Sequence, residues 1–196
     1  MPWYALDSAL RGRWQYFACM AGWALFTIYW DIAKKNAAPT KSSESRGSRR
    51  VHVILINLAL LLELIPMRAL GRLLPATPNI MAAGLALEGV GLALAIWARV
   101  HLGRNWSSTI TIKVEHQLIR TGPYRLLRHP IYTGVLAMGI GTLLVTGERL
   151  ALIGMAAAAY AYWRKIRLEE AVLNTAFGPD YAAYRRATWA LVPGIY

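Results

Sequence analysis

Residues 80–100 read IMAAGLALEGVGLALAIWARV, a run in which only Glu88 and Arg99 carry charge. A helix rises about 1.5 Å per residue, and about 20 apolar residues cover the ~30 Å hydrocarbon core of a bilayer. The run is long enough to span a membrane as one helix. Val51 to Leu70 has the same length and character, and Trp14 to Trp30 is a third apolar run. Ile131 to Val145 and Leu150 to Trp163 are shorter; only residues 146–149 separate them, which predicts a tight helical hairpin. The fifth helix is predicted to continue into the polar segment RKIRLEE.

Composition agrees with this pattern. Of 196 residues, 56% are hydrophobic, yet the net charge is +12. A nucleic-acid binder would spread that charge over a folded surface. Here the charges lie between apolar runs, which argues against a nucleic-acid partner. The first run makes a poor signal peptide, because Asp7, Arg11 and Arg13 precede it and no small-residue cleavage site follows before Asp31. A single cysteine, Cys19, excludes an intrachain disulfide. The predicted fold is all-α: a polytopic integral membrane protein of about five transmembrane helices.

Loop charge gives an independent orientation. With five alternating spans, most of the 22 Lys and Arg residues fall between Lys34 and Arg50, between Arg99 and Arg128, and between Arg164 and Arg186. Only Arg11, Arg13, Arg68, Arg72 and Arg149 fall on the other side. Short basic loops stay cytoplasmic, so the N-terminus is expected outside and the C-terminus inside. Residues 36–50, polar and Ser-rich, read as a flexible loop whose basic residues touch lipid headgroups. Gly84, Gly89 and Gly91 in the third run, with Gly139 and Gly141 in the fourth, suggest close helix packing rather than a ligand-lined cavity. Glu63 and Glu88 lie inside apolar runs, where ionisable residues are functional suspects. They could share a proton, line an acceptor tunnel, or bond a neighbouring helix as neutral acids.

The chemistry-bearing stretch is RTGPYRLLRHPIYTG at 120–134. Gly122-Pro123 is turn chemistry, and Pro130 suits the first position of a helix. That places His129 at the helix entrance, where unsatisfied N–H groups and basic Arg125 and Arg128 would attract a carboxylate or phosphate. An interfacial basic collar is the competing reading. A second polar cluster begins at Arg164 and contains Glu169 and Glu170. Adjacent residues point about 100° apart on a helix, so one carboxylate at most should face a given pocket. Lys165 and Glu169, spaced i, i+4, could equally pair on a surface helix. Phe177, Tyr181 and Tyr184 read as a packed stripe.

GPYRLLRHPIYTG at 122–134 and EEAVLNTAFGPDYAAY at 169–184, extended by LGRNWS at 102–107 and HQLIRTG at 116–122, resemble the signatures of the isoprenylcysteine carboxyl methyltransferase family. That family is itself similar to the phospholipid N-methyltransferases. The resemblance covers roughly residues 95–193 and divides the chain into 1–94, N-terminal transmembrane helices with a basic loop, and 95–196, the methyltransferase region. It implies an integral membrane enzyme with a cytosolic cofactor pocket, formed by the C-terminal half, that binds S-adenosylmethionine and takes a lipophilic acceptor from the surrounding lipid. No strand followed by a G-x-G-x-x-G turn is present, so a soluble nucleotide-binding fold is not expected.

By resemblance, the cofactor positions are His116, Gln117, Leu118 and Ile119 through backbone groups, then Tyr124, His129, Pro130, Tyr132 and the acidic Glu169, with Glu170 its near rival. Substrate-side positions are Arg164, Lys165 and Trp106, with Arg167 as a further candidate cation. Arg164 would orient an acceptor carboxylate, whereas an amine acceptor would need a base such as Glu170 or His129. No metal is expected. A prenylcysteine carboxylate heads the acceptors, with a phospholipid or small lipophilic amine as the alternative. A sterol-reductase-like oxidoreductase and a nonenzymatic membrane subunit are the readings from other classes.

Overall fold

A computed structural model describes residues 3–37, 40–43, 45–64, 70–107, 109–113 and 117–195. Its centre is the pair formed by α3 (Pro78–Leu102) and α4 (Pro130–Thr146). Thr77 caps α3 by accepting the Ile80 N–H, and Pro78 occupies the first turn, where a missing N–H costs nothing. The two helices meet backbone to backbone. A methyl at Gly91 would lie 2.5 Å from the Gly134 carbonyl oxygen, and one at Gly141 would lie 2.5 Å from that of Gly84. Without a hydrophobic drive between helices in lipid, such close approach is what supplies packing energy. The expected small-residue packing is therefore present at Gly84, Gly91, Gly139 and Gly141; Gly89 faces open space.

α4 turns into α5 (Arg149–Phe177) through Gly147 and Glu148. Gly147 is left-handed (φ 62°), its N–H caps Leu143, and its carbonyl accepts the Leu73 N–H. The predicted hairpin forms, and α5 carries on through RKIRLEE as one helix. α1 (Trp3–Ala33) packs on α3 and α4, while α2 (Arg46–Leu64) packs on α5 and α4. A short helix, α6 (Pro179–Arg186), folds back under α5.

Side-chain to backbone hydrogen bonds tie neighbouring helices together at both ends of the bundle. At one end Arg99 donates to the Ala33 carbonyl, and Arg164 donates to the Ser48 carbonyl and hydroxyl. At the opposite end Tyr16 donates to the Leu64 carbonyl and Arg149 to that of Leu70. The loop read as flexible differs: β1 (Thr40–Ser43) pairs antiparallel with β2 (Thr111–Lys113). A two-stranded ladder needs only backbone partners, so a polar composition does not prevent it.

Among the described residues one helical stretch, Pro78–Asn105, meets the length and apolarity needed to cross a membrane, and α4 is a shorter apolar helix. The end of the second apolar run, 65–69, lies outside the described residues. The interior is hydrophobic, around Cys19, Trp23, Met81 and Met138, and many large apolar side chains also face outward. Phe17, Leu25, Ile54, Val90, Val100 and Ile153 are exposed, whereas Glu63 and Glu88 are buried. Glu63 lies against Gly139 and Gly154, between α2, α4 and α5; Glu88 lies against Gly22 and Gly141, between α1, α3 and α4. The two carboxyls thus occupy separate clefts.

Candidate functional site

The stretch 120–134 folds as a 3-10 turn over Gly122–Arg125 that leads to the start of α4. Gly122 (φ 57°) abuts the His101 ring, which leaves no room for a side chain. His129 is the N-cap residue of α4 and Pro130 its first turn, as the sequence predicted. The C-terminal tail runs alongside. Trp189 O accepts from Arg128 N (2.8 Å), Ala190 O from His129 N (3.1 Å), and Leu191 O from the Thr133 hydroxyl (2.8 Å). The tail therefore takes N–H groups at the helix entrance that the sequence reading had offered to a ligand.

A cavity of about 350 Å³ opens beside this turn. One polar cluster in its lining is built on α4 and α5. The Tyr132 hydroxyl donates to Glu169 Oε2 at 2.7 Å, and His129 Nδ1 stands 3.7 Å from the same oxygen. The His129 and Tyr132 rings stack at 5.4 Å, and Lys165 Nζ lies 5.5 Å from the Tyr132 ring centre. Apolar side chains line the same cavity, Phe26 and Trp30 from α1, Val53 and Ile56 from α2, and Val135 from α4, with the polar His52 and Asn57 also contributed by α2. One cavity thus joins a carboxylate, a cation and an imidazole to a hydrocarbon wall.

Glu170, one residue along, faces the other way. Arg128 Nε donates to its Oε1 at 2.7 Å with both side chains only 8% exposed, His129 Nε2 lies 3.4 Å from that oxygen, and Arg185 Nε lies 3.4 Å from Oε2. Burial alone would raise its pKa. The hydrogen bonds and charges of His129 and Arg128 outweigh that and bring it down to about 2. Arg128 also donates to the Arg185 and Thr188 carbonyls, so Glu170 and Arg128 clamp α6 and the tail against the turn.

Of the residues singled out from sequence, Gln117, Leu118, Ile119, Tyr124, His129, Tyr132, Glu169, Lys165 and Trp106 line the cavity. The Gln117 N–H is taken by the Asn105 side chain (3.1 Å), and one face of Trp106 is covered by the Arg99 guanidinium at 4.5 Å. His116 lies outside the described residues. Three assignments are corrected in position. Pro130 is fully buried in the helix start, Arg164 is bonded to Ser48, and Glu170 is not part of the cavity lining; Arg128, which does line the cavity, pairs with it, and its conjugate acid is too strong for it to serve as a base at neutral pH.

The sequence reading missed the walls from α1 and α2, including Phe26, Trp30, His52 and Ile56, because apolar helices carry no motif. It also missed Tyr181 and Tyr184, which line the cavity from α6. The i, i+4 spacing from Phe177 to Tyr181 was the available signal.

Residues 84–175 match the isoprenylcysteine carboxyl methyltransferase family. This region of the chain, a little under half of it, is similar to that family. A probable protein-S-isoprenylcysteine O-methyltransferase of Oryza sativa subsp. indica is 32% identical over 115 residues, 57% of this chain and 60% of that one. The cobalt-zinc-cadmium resistance protein CzcN of Cupriavidus metallidurans is 36% identical over 116 residues, 56% of this chain and 49% of that one. Among solved structures, the eukaryotic intramembrane Ras methyltransferase, an isoprenylcysteine carboxyl methyltransferase, shares the fold with a TM-score of 0.55 at 20% identity, covering 78% of this chain and 54% of its own. The matches thus span less than two thirds of these relatives' lengths. The stretch that matches the family model holds α4 and nearly all of α5, with Glu169 and His129. The walls from α1, α2 and α6 lie outside it.

Proposed function

We propose that the chain transfers a methyl group from S-adenosylmethionine to a lipophilic acceptor, and that the acceptor is the carboxylate of an isoprenylcysteine-type substrate. The observation that carries this reading is the cavity's mixed lining: Glu169, His129, Tyr132 and Lys165 share one cavity with Phe26, Val53, Ile56 and Val135. The donor set fits the cofactor. Glu169, held by Tyr132, suits an ammonium group, and the aromatic faces of Tyr132 and Trp106 suit a sulfonium. Gln117, Leu118, Ile119, Tyr124 and His129 complete that half of the wall. When bound, the cofactor supplies an electrophilic methyl group.

The chain's own residues then bind, orient and exclude water. An ionised carboxylate acceptor is already nucleophilic, so no residue need remove a proton. Lys165, which lines the cavity with its Nζ 5.5 Å from the Tyr132 ring, is the cation that would orient it. Arg164, engaged by Ser48, supports α2 against α5 instead. The exposed apolar faces of α1, α2, α3 and α5 support five membrane spans, and the basic loops support a cytoplasmic cavity and C-terminus with the N-terminus outside. On this reading 1–94 supplies the acceptor's apolar wall and 95–196 the methyl-transfer machinery.

The test is calorimetric binding of S-adenosylmethionine and S-adenosylhomocysteine to detergent-purified protein, followed by radiolabelled methyl transfer to a prenylated cysteine and to phosphatidylethanolamine. Micromolar binding with label on the prenylcysteine is the expected result. Label on the amine lipid alone would replace the acceptor, and no cofactor binding by folded protein would remove the reading.

A further inference from the structure

Tyr181 and Tyr184 lie on one face of α6 with ring centroids 6.1 Å apart, yet their hydroxyls have opposite fates. The Tyr184 hydroxyl donates to the Tyr124 carbonyl at 2.7 Å and lies 3.4 Å from that of Leu127. It is a structural tie between α6 and the 3-10 turn. Tyr181 is more deeply buried, at 1% exposure, and its hydroxyl has no hydrogen-bond partner. An unpaired buried hydroxyl costs on the order of 1–3 kcal/mol. A phenylalanine would fill the same space without that cost, so packing alone gives no reason for the oxygen.

Tyr181 lines the same cavity as His129 and Glu169. Its surroundings are ionic: Glu170, Arg128 and Glu169 all act on it electrostatically, and burial together with the Glu170 charge pushes its pKa up, so it stays a proton donor. We propose that the Tyr181 hydroxyl is a further ligand-binding group, which donates a hydrogen bond to the amino-acid end of S-adenosylmethionine and is left unpaired when that end is absent. This rests on the methyltransferase reading above. It adds a residue from outside the stretch 84–175 that matches the family.

The hypothesis makes stability and affinity move in opposite directions. In Tyr181→Phe, the ligand-free protein should melt at the same temperature as wild type or higher, because an unpaired oxygen has been removed. Affinity for S-adenosylhomocysteine should fall roughly tenfold to fiftyfold, the range of a lost buried hydrogen bond. Affinity for 5′-methylthioadenosine, which lacks the amino-acid end, should not change. Tyr184→Phe, which breaks a made bond, should instead lower the melting temperature. Tyr181→Phe with unchanged S-adenosylhomocysteine affinity overturns the proposal while leaving the methyltransferase reading intact. Equal losses for both ligands overturn the assignment to the amino-acid end. A wild type that binds neither ligand overturns both readings together.

Discussion

Glu169 and Glu170 share a peptide bond on α5 and face two different tasks. Glu169 looks into the cavity, held by a tyrosine hydroxyl and a nearby imidazole, with 31% of its side chain exposed. Glu170 looks into protein, 8% exposed, with two arginines and the same imidazole around it. His129 stands between them, Nδ1 toward one carboxylate and Nε2 toward the other. The difference teaches that charge compensation marks structure and its incompleteness marks a site. Glu170 has two arginines against it within the chain, whereas Glu169 is bonded by the Tyr132 hydroxyl, lies beside the His129 ring and remains partly exposed, open to a cationic ligand.

The comparison breaks most visibly at Glu170. Replacing it with Gln leaves Arg128 buried without its anion, and a broken buried pair costs roughly 3–5 kcal/mol. Glu170→Gln should therefore lower the thermal midpoint in detergent by on the order of 10 °C. Arg128→Gln should lower it comparably, and the double variant by less than the sum. A midpoint unchanged in Glu170→Gln would show that the clamp carries no stability. The same pair sets an acid limit. Glu170's pKa falls from an ordinary 4.5 to about 2 on folding. Its contribution is thus fully present above 4.5 and is lost as pH falls from there toward 2. The stability gap between wild type and Glu170→Gln should close across that window; a gap independent of pH would assign the loss to packing.

Glu169→Gln should do the reverse. The thermal midpoint should stay within a few degrees of wild type, because the side chain is partly exposed and makes one short bond. Affinity for S-adenosylmethionine should fall about a hundredfold, or ~2.7 kcal/mol, the scale of a charge-assisted bond to an ammonium in a shielded site. If Glu169→Gln binds the cofactor as wild type does, the cavity's carboxylate has another purpose.

How much of this was legible in the sequence follows from the kind of force involved. Small residues at Gly84, Gly91 and Gly141 announced the α3–α4 contact because only glycine permits that approach. The angle between adjacent helical side chains announced that Glu169 and Glu170 must part company. The tail's clasp of the Arg128-His129 turn was invisible, since Trp189, Ala190 and Leu191 act through backbone carbonyls that every residue possesses. The apolar wall from α1 and α2 was invisible for a related reason: Phe26 and Ile56 look like any lipid-facing residues until the fold turns them inward. Tyr181 and Tyr184 were legible as a pair and indistinguishable as individuals.

The smallest effect is expected at Tyr132, whose hydroxyl holds Glu169 in place. Tyr132→Phe keeps the ring stacked on His129 and removes one hydrogen bond of about 1 kcal/mol, so cofactor affinity should fall about fivefold. The informative quantity is the coupling with Glu169→Gln. If the tyrosine acts by orienting the carboxylate, removing its hydroxyl from a protein that already carries the Glu169→Gln substitution should cost little more, and the double variant should bind like Glu169→Gln alone. Fully additive losses would mean that the Tyr132 oxygen contacts the ligand directly. Glu169 would then be held by His129 and the helix alone, and the contrast with its neighbour would rest on burial instead of on hydrogen bonding.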